Sequence, residues 1–162
     1  NTQIVELKGF FMNKMSKKTE YALMALKLFN DIDLQSKGIM SRPVGHDSGP
    51  LNLTVSAKDI ADRTHSPYDV IARVLQALSF RGILKAEYGI MGGYQLAKNL
   101  NEITVHELIE ILESSTELTK CLGSDSECDH SKTCSIVTPI TNLNAKVQNF
   151  YKSITLEEVL HV

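Results

Sequence analysis

No apolar run in this chain approaches the roughly 20 residues that a bilayer-spanning helix needs, and no leader pattern opens it, so a cytoplasmic protein without a membrane partner is expected. Bulk positive charge is missing too. The formal net charge is −2, which argues against a protein that coats nucleic acid electrostatically. Cysteine is scarce, at 3 residues, and no two of them form a Cys-x-x-Cys pair. The usual dithiol redox motif is therefore absent, and an odd cysteine number argues against a disulfide framework. There is no internal repeat and no linker between two independent cores. What remains is 162 residues with an ordinary apolar content of 43%, enough for one domain with a real core, or a small domain plus an appended helix.

The charge is unevenly spread. Lys and Arg outnumber Asp and Glu by 7 to 5 over residues 1–54 and by 6 to 4 over 55–98, but are outnumbered 4 to 10 from 99 onward. A mildly basic reading half suits a site-specific binder, because non-specific affinity for nucleic acid comes almost wholly from phosphate neutralisation.

The stretch from Val55 to Ala97 organises the chain. Ser56 and Asp59 form a capping box that opens a short helix from Ala57 to Arg63, and Thr64-His65-Ser66 must turn. Ser66 as cap, Pro67 at the first helical position and Asp69 three residues after the cap start a second helix that runs to about Arg81. On it Val70, Ile71, Val74, Leu75 and Leu78 recur on one face, which packs; Tyr68, Asp69, Ala72, Arg73 and Gln76 lie on the other, which is free to read. After Gly82 the run Ile83–Tyr88 has strand length, Gly89–Gly93 must turn, and Tyr94-Gln95-Leu96 returns as the second strand of a wing. Well-capped helices alone would also suit an unrelated helical core. A glycine-rich hairpin directly behind the second helix points instead to a winged helix-turn-helix, mainly α with a small β wing, in which Lys85 of the wing joins the DNA-facing set as a phosphate contact.

The flanking regions support this module. Residues 1–14 read as an extension, and a first helix spans Ser16 or Lys17 to about Asn30. Residues 31–53 have loop composition, and His46 within them reads as a solvated loop residue. Thr104 and Glu107 cap a helix to about Ser114, with His106 on its surface. Thr138-Pro139 starts a helix in which Ile140, Leu143, Val147 and Phe150 recur at three and four residues, a narrow seam that seeks a partner and predicts a homodimer. Thr155 and Glu158 cap a last short helix through His161. The expected organisation is a DNA-binding domain over 15–115, a cysteine loop over 116–137, and a dimerisation helix with a closing helix over 138–162.

All the cysteines fall in one stretch, at Cys121, Cys128 and Cys134, among Gly, Ser, Asp and Lys in a loop that cannot bury them. Zinc held by the three cysteines and His130 is chemically possible, although structural zinc sites favour ligand pairs two to four residues apart. Thiolates alone on wider spacings suit an iron-sulfur cluster better. Bare reactive thiols are the third reading.

The chain resembles the iron-sulfur cluster regulator family of winged-helix repressors, which holds the regulators of cluster assembly and the nitric-oxide-sensitive repressors. The resemblance runs from Met15 to the end, on Met15–Ala22, Ile60-Ala61, Gly92-Gly93-Tyr94-Gln95-Leu96 and Ile154-Thr155-Leu156. It implies that the three cysteines hold a cluster, that the late helix crosses its counterpart in a homodimer, and that cluster loss or modification changes operator binding. Two positions depart from the family pattern. Val137 stands where members that bind a two-iron cluster have a ligand histidine, so the fourth ligand must come from elsewhere. Glu20 matches the position of the acid used by nitric-oxide-sensing relatives, and the expected cofactor is an iron-sulfur cluster of 2Fe-2S or 4Fe-4S type, the latter favoured. Tyr88 occupies the place of the wing arginine that the family offers to the minor groove, so the resemblance puts Tyr88 in the DNA-facing set.

The expected function is thus a non-enzymatic, homodimeric, cluster-sensing transcription regulator that binds double-stranded operator DNA. A zinc or thiol redox protein on the same scaffold, or a winged helix used only for protein contacts, are the alternatives.

Overall fold

The computed structural model describes residues 15–38, 54–89, 92–113, 116–119, 122 and 133–160. Six α-helices and one hairpin follow in order: α1 (Lys17–Ser36), α2 (Ala57–Thr64), α3 (Tyr68–Phe80), β1 (Leu84–Glu87), β2 (Gly93–Leu96), a short 3-10 turn (Leu100–Glu102), α4 (Val105–Leu112), α5 (Val137–Ser153) and α6 (Leu156–Leu160).

The helix starts follow local chemistry. Ser56 and Asp59 form the expected capping box, with the Ser56 hydroxyl accepting the Asp59 N–H at 3.1 Å. Thr104 with Glu107 does the same for α4, and Thr155 with Glu158 repeats the reciprocal bonding ahead of α6. Ser66 does not cap α3, contrary to expectation. α2 closes through left-handed His65, with the Ser66 N–H on the Ala61 carbonyl and the Ser66 hydroxyl on Thr64. The Schellman closure occupies Ser66, so Pro67 takes the flanking position of α3 without a side-chain cap. Similarly, α5 starts at Val137 rather than being capped by Thr138. Pro139 sits in its first turn, where an absent N–H costs no helical bond.

α1 runs six residues beyond the expected end at Asn30. Nothing between Asp31 and Ser36 breaks a helix, the ion pairs Lys27–Asp31 and Lys37–Asp33 lie along it, and the chain turns only at left-handed Gly38. Residues 39–53, with His46, lie outside the described residues.

α1, α3 and α4 pack round one core that includes Leu26, Phe29, Ile60, Ile71, Leu75, Leu78, Leu84 and Leu108. His106, expected on the surface of α4, is buried at 6% exposure, with Nδ1 3.4 Å from Glu110 Oε2. The hairpin pairs antiparallel in the register Leu84 with Leu96 and Glu87 with Gly93. Val55 pairs with Tyr94 on the other edge of β2 through two backbone bonds of 2.8 and 2.9 Å, which fastens the wing to the entry of α2. A second bridge pairs Thr104 with Thr155, and it returns the chain to the core through Leu156 and Leu160.

Gly93 is demanded by that strand approach: a Cβ there would stand 2.7 Å from the Val55 carbonyl carbon and oxygen. Gly93→Ala should therefore cost about 1–3 kcal/mol, as for overpacking, and lower the melting temperature by several degrees. Gly82→Ala meets no neighbour and carries only the left-handed penalty of φ 71°, about 1 kcal/mol. Thermal melts of the two variants should keep that order; a milder effect at Gly93 would contradict the close-approach account.

Candidate nucleic-acid interface and the roots of the cysteine segment

The helix α3 sorts its side chains as the periodicity predicts. Ile71, Val74, Leu75 and Leu78 are buried and Val70 is half-buried. Tyr68, Asp69, Arg73 and Gln76 are exposed and Ala72 is half-buried on the outer side, so all five predicted reading residues are brought to one accessible surface. Arg73 has no hydrogen-bond or ion-pair partner among the described residues. It borders a cavity of about 210 Å³ that it shares with Lys18 of α1, Val70, Val74 and Leu112. Lys18 thus adds a second cation beside the reading helix, which sequence periodicity along α3 could not reveal.

On the wing, Tyr88 is 96% exposed just past β1. Lys85 is also exposed, but its Nζ lies 2.6 Å from Glu87 Oε1, which accepts in addition from Gln95 Nε2 at 3.0 Å. An exposed pair of this kind contributes about 0–1 kcal/mol. A phosphate can therefore draw Lys85 away from Glu87 at little cost.

Of the sequence-predicted metal ligands, Glu20 and Cys134 are described; Cys121, Cys128 and the alternative ligand His130 lie outside the described residues. Glu20 stands in the first turn of α1, 41% exposed, paired with Lys17 Nζ. The hydrogen bond that Lys17 donates to Glu20, and then the Glu20 charge, hold the Lys17 ammonium above the ordinary lysine value. Cys134 is a half-exposed free thiol whose backbone carbonyl accepts from the Val137 N–H at 3.4 Å, directly ahead of α5.

The structure also shows where the cysteine segment is rooted. Glu113, the first residue beyond α4, turns its carboxylate onto the start of α1, where the Ser16 and Thr19 hydroxyls both donate to Oε1, the latter at 3.2 Å. Ser16 meanwhile accepts the Thr19 N–H at 3.2 Å, so Glu113 braces the cap of α1 and places negative charge at its positive end. Further on, the Leu118 N–H donates to Asn144 Oδ1 at 3.0 Å, and Asn144 Nδ2 donates to the Glu117 carboxylate. The first root joins the segment to the reading head, the second to α5. Sequence reasoning missed both, because Glu113 is separated from Ser16 and Thr19 by 97 and 94 residues, and no local spacing links them.

Along α5 and its cap the apolar residues recur in steps of four and three: Ile136 and Leu143 at 54% exposure, Phe150 at 60%, with Ile140 and Val147 half-buried between them. No described helix is long and apolar enough to cross a membrane.

Residues 49–162 match the Rrf2 family, described as iron-dependent transcriptional regulators, and the chain belongs to that family. It is 28% identical over 148 residues to the HTH-type transcriptional regulator IscR of Pectobacterium atrosepticum, covering 91% of this chain and 79% of that one. Among solved structures, IscR of T. potens aligns with a TM-score of 0.58 at 23% identity, over 94% of this chain and 90% of that chain. CymR, the global cysteine regulator of B. subtilis, aligns with a TM-score of 0.56 at 24% identity, over 93% and 98% of the two chains. Both likenesses confirm the winged-helix fold. With its family and its HTH-type relatives, the chain is a DNA-binding transcription regulator and not an enzyme.

The Glu113 brace makes a stability prediction. Glu113→Ala leaves the hydroxyl of Thr19, itself 1% exposed, with only the long 3.4 Å contact to Ser16 Oγ among the described residues, at a cost of about 1–3 kcal/mol. Glu113→Gln keeps an acceptor oxygen and should lose less. Denaturant melts that rank the two variants equally with the parent would remove the brace from the account.

Proposed function

We propose that this chain is a cytoplasmic homodimer that reads operator DNA with α3 and the wing, and whose operator affinity is set by an iron-sulfur cluster on Cys121, Cys128 and Cys134. The observation that carries the reading is the outer side of α3, where Tyr68, Asp69, Arg73 and Gln76 are exposed while the helix is locked to the core by its opposite side. Arg73 has no partner among the described residues, and a guanidinium so placed can bridge two acceptors on a guanine edge. Lys85 and Tyr88 accompany it on the wing.

The exposed seam of α5 supports the dimer, since Ile136, Leu143 and Phe150 are each more than half exposed in the single chain. Crossing of two such helices sets two copies of α3 toward two half-sites.

The donor chemistry fits a cluster. Cys134 is a half-exposed thiol between Thr133 and Ser135, not a core residue, and three thiolates are the soft ligand set that iron-sulfur chemistry uses. Bound there, a cluster would supply a centre that responds to iron, oxidants or nitric oxide. Glu20, contributed by the partner subunit, is the proposed fourth ligand. Among the described residues its carboxylate is held only by an exposed pair with Lys17, so it can be released. Binding across the subunits would tie the start of one α1 to the cysteine segment of the other chain.

Two sets of variants test the reading. Arg73→Ala should weaken operator binding by about 1–3 kcal/mol and relax its sequence preference, while Lys85→Ala should lower the salt slope by about 1 without altering preference. Normal binding by Arg73, Tyr68, Asp69 and Gln76 variants alike would show that α3 is not the reader.

Serine at any one of the three cysteine positions should remove the iron-sulfur chromophore and leave a folded dimer; a full chromophore in two of the three variants contradicts the ligand set. Glu20→Ala should retain the cluster with a changed spectrum and uncouple it from DNA affinity. A silent Glu20→Ala beside a cluster-free His130→Ala would assign the fourth ligand to His130.

A further inference from the structure

Among the described residues of α5, the only buried one is polar. Asn144 is 8% exposed, and both ends of its amide are satisfied by the segment that leads to Cys121. One turn later Gln148 Nε2 donates to the second oxygen of Glu117 at 3.2 Å and to Thr116 Oγ1 at 3.4 Å. At 3.6 residues per turn, Asn144 and Gln148 lie roughly 100° round the helix from the apolar seam, so they do not compete with a second copy for α5. An apolar side chain could fill the same space. An amide that needs one N–H and one carboxylate at once accepts a single placement of residues 116–118, which is the work of a register pin.

We propose that Asn144, assisted by Gln148, latches the entry of the cysteine segment to the dimer helix, and is the positioning residue through which the state of the three thiols reaches α5. The proposal rests on the regulatory reading above and extends it. Leu118 is three residues from Cys121, a reach of about 10 Å at most. At the other end, Cys134 is bonded through its carbonyl to the N–H of Val137, the first residue of α5. The segment between Leu118 and Cys134 is thus closed on one helix at two points, its start and Asn144, seven residues apart or about 10 Å along the axis. Any change in the spacing of thiols that share one group pulls between those two points. Without the latch, the same change would be absorbed by movement of residues 116–118 away from α5.

The test uses the full chain. Asn144→Asp sets a carboxylate against that of Glu117, and the swapped pair Asn144→Asp with Glu117→Gln restores an amide facing a carboxylate. In the metal-free protein, amide exchange at Leu118 should rise about tenfold or more in Asn144→Asp and return to near the parent value in the swapped pair. Gln148→Ala should move exchange the same way by less, and serves should Asn144→Asp fail to fold. Unchanged exchange, or no recovery in the swapped pair, overturns the latch.

The second arm compares operator affinity of iron-sulfur-reconstituted and metal-free protein. The parent ratio should collapse toward one in Asn144→Asp, with metal-free affinity retained, and recover in the swapped pair. A parent-like ratio in a variant whose Leu118 amide exchanges freely shows that the latch transmits nothing. A ratio of one in the parent itself overturns the regulatory reading, and the transmission with it, while the exchange arm still decides whether the latch exists.

Discussion

Two backbone hydrogen bonds decide the layout of this protein. The Val105 N–H donates to the Ile154 carbonyl at 3.0 Å and the Leu156 N–H to the Ile103 carbonyl at 2.8 Å, which joins the start of α4 to the residues that follow α5. The core residues of α4 end at Leu112 and the core is rejoined by Tyr151, Ile154 and Leu156, so the stretch from Glu113 to α5 begins and ends on the winged helix. Leu156 is fully buried, and burial of a leucine contributes about 1.5–3 kcal/mol. The short α6 therefore fastens α5 to the winged helix rather than merely ending the chain.

The remaining contacts gain meaning from that closure. Glu113 holds the outgoing end of that stretch to the cap of α1, beside Lys18 and the cavity it shares with Arg73. Asn144 holds the next part of it to α5. The stretch that follows α4 thereby touches both the start of α1, which packs against α3, and α5, the helix proposed to face a second copy. On the proposed reading, a shift of the cysteine segment would act on two polar anchors, each with a discrete bonded geometry, and not on a continuously yielding surface.

Much of this was legible in the residues, where the determining chemistry is local. The capping pairs Ser56–Asp59, Thr104–Glu107 and Thr155–Glu158 set three helix starts. The apolar period of α3 separated its core residues from its outward ones, and Gly92-Gly93 marked the return of the wing. What depended on distant partners was hidden. Ser66 has the sequence of a cap, yet the closure of the preceding helix captures it. His106 looks like a surface residue of a short helix until the returning chain and the core bury it. Asn144 and Gln148 read as polar flanks of a seam, and only the folded chain shows residues 116–118 laid against them. The outward face of α3 was therefore visible before the fold was, and the connections between distant segments were not.

The most direct test of the central claim is the iron and sulfide content of the parent protein purified without oxygen, read together with its visible absorbance. The account predicts a coloured protein with iron and acid-labile sulfide in proportion to chain, bleached when the cluster is removed. A colourless protein that carries zinc, or three free thiols and no metal, would contradict it.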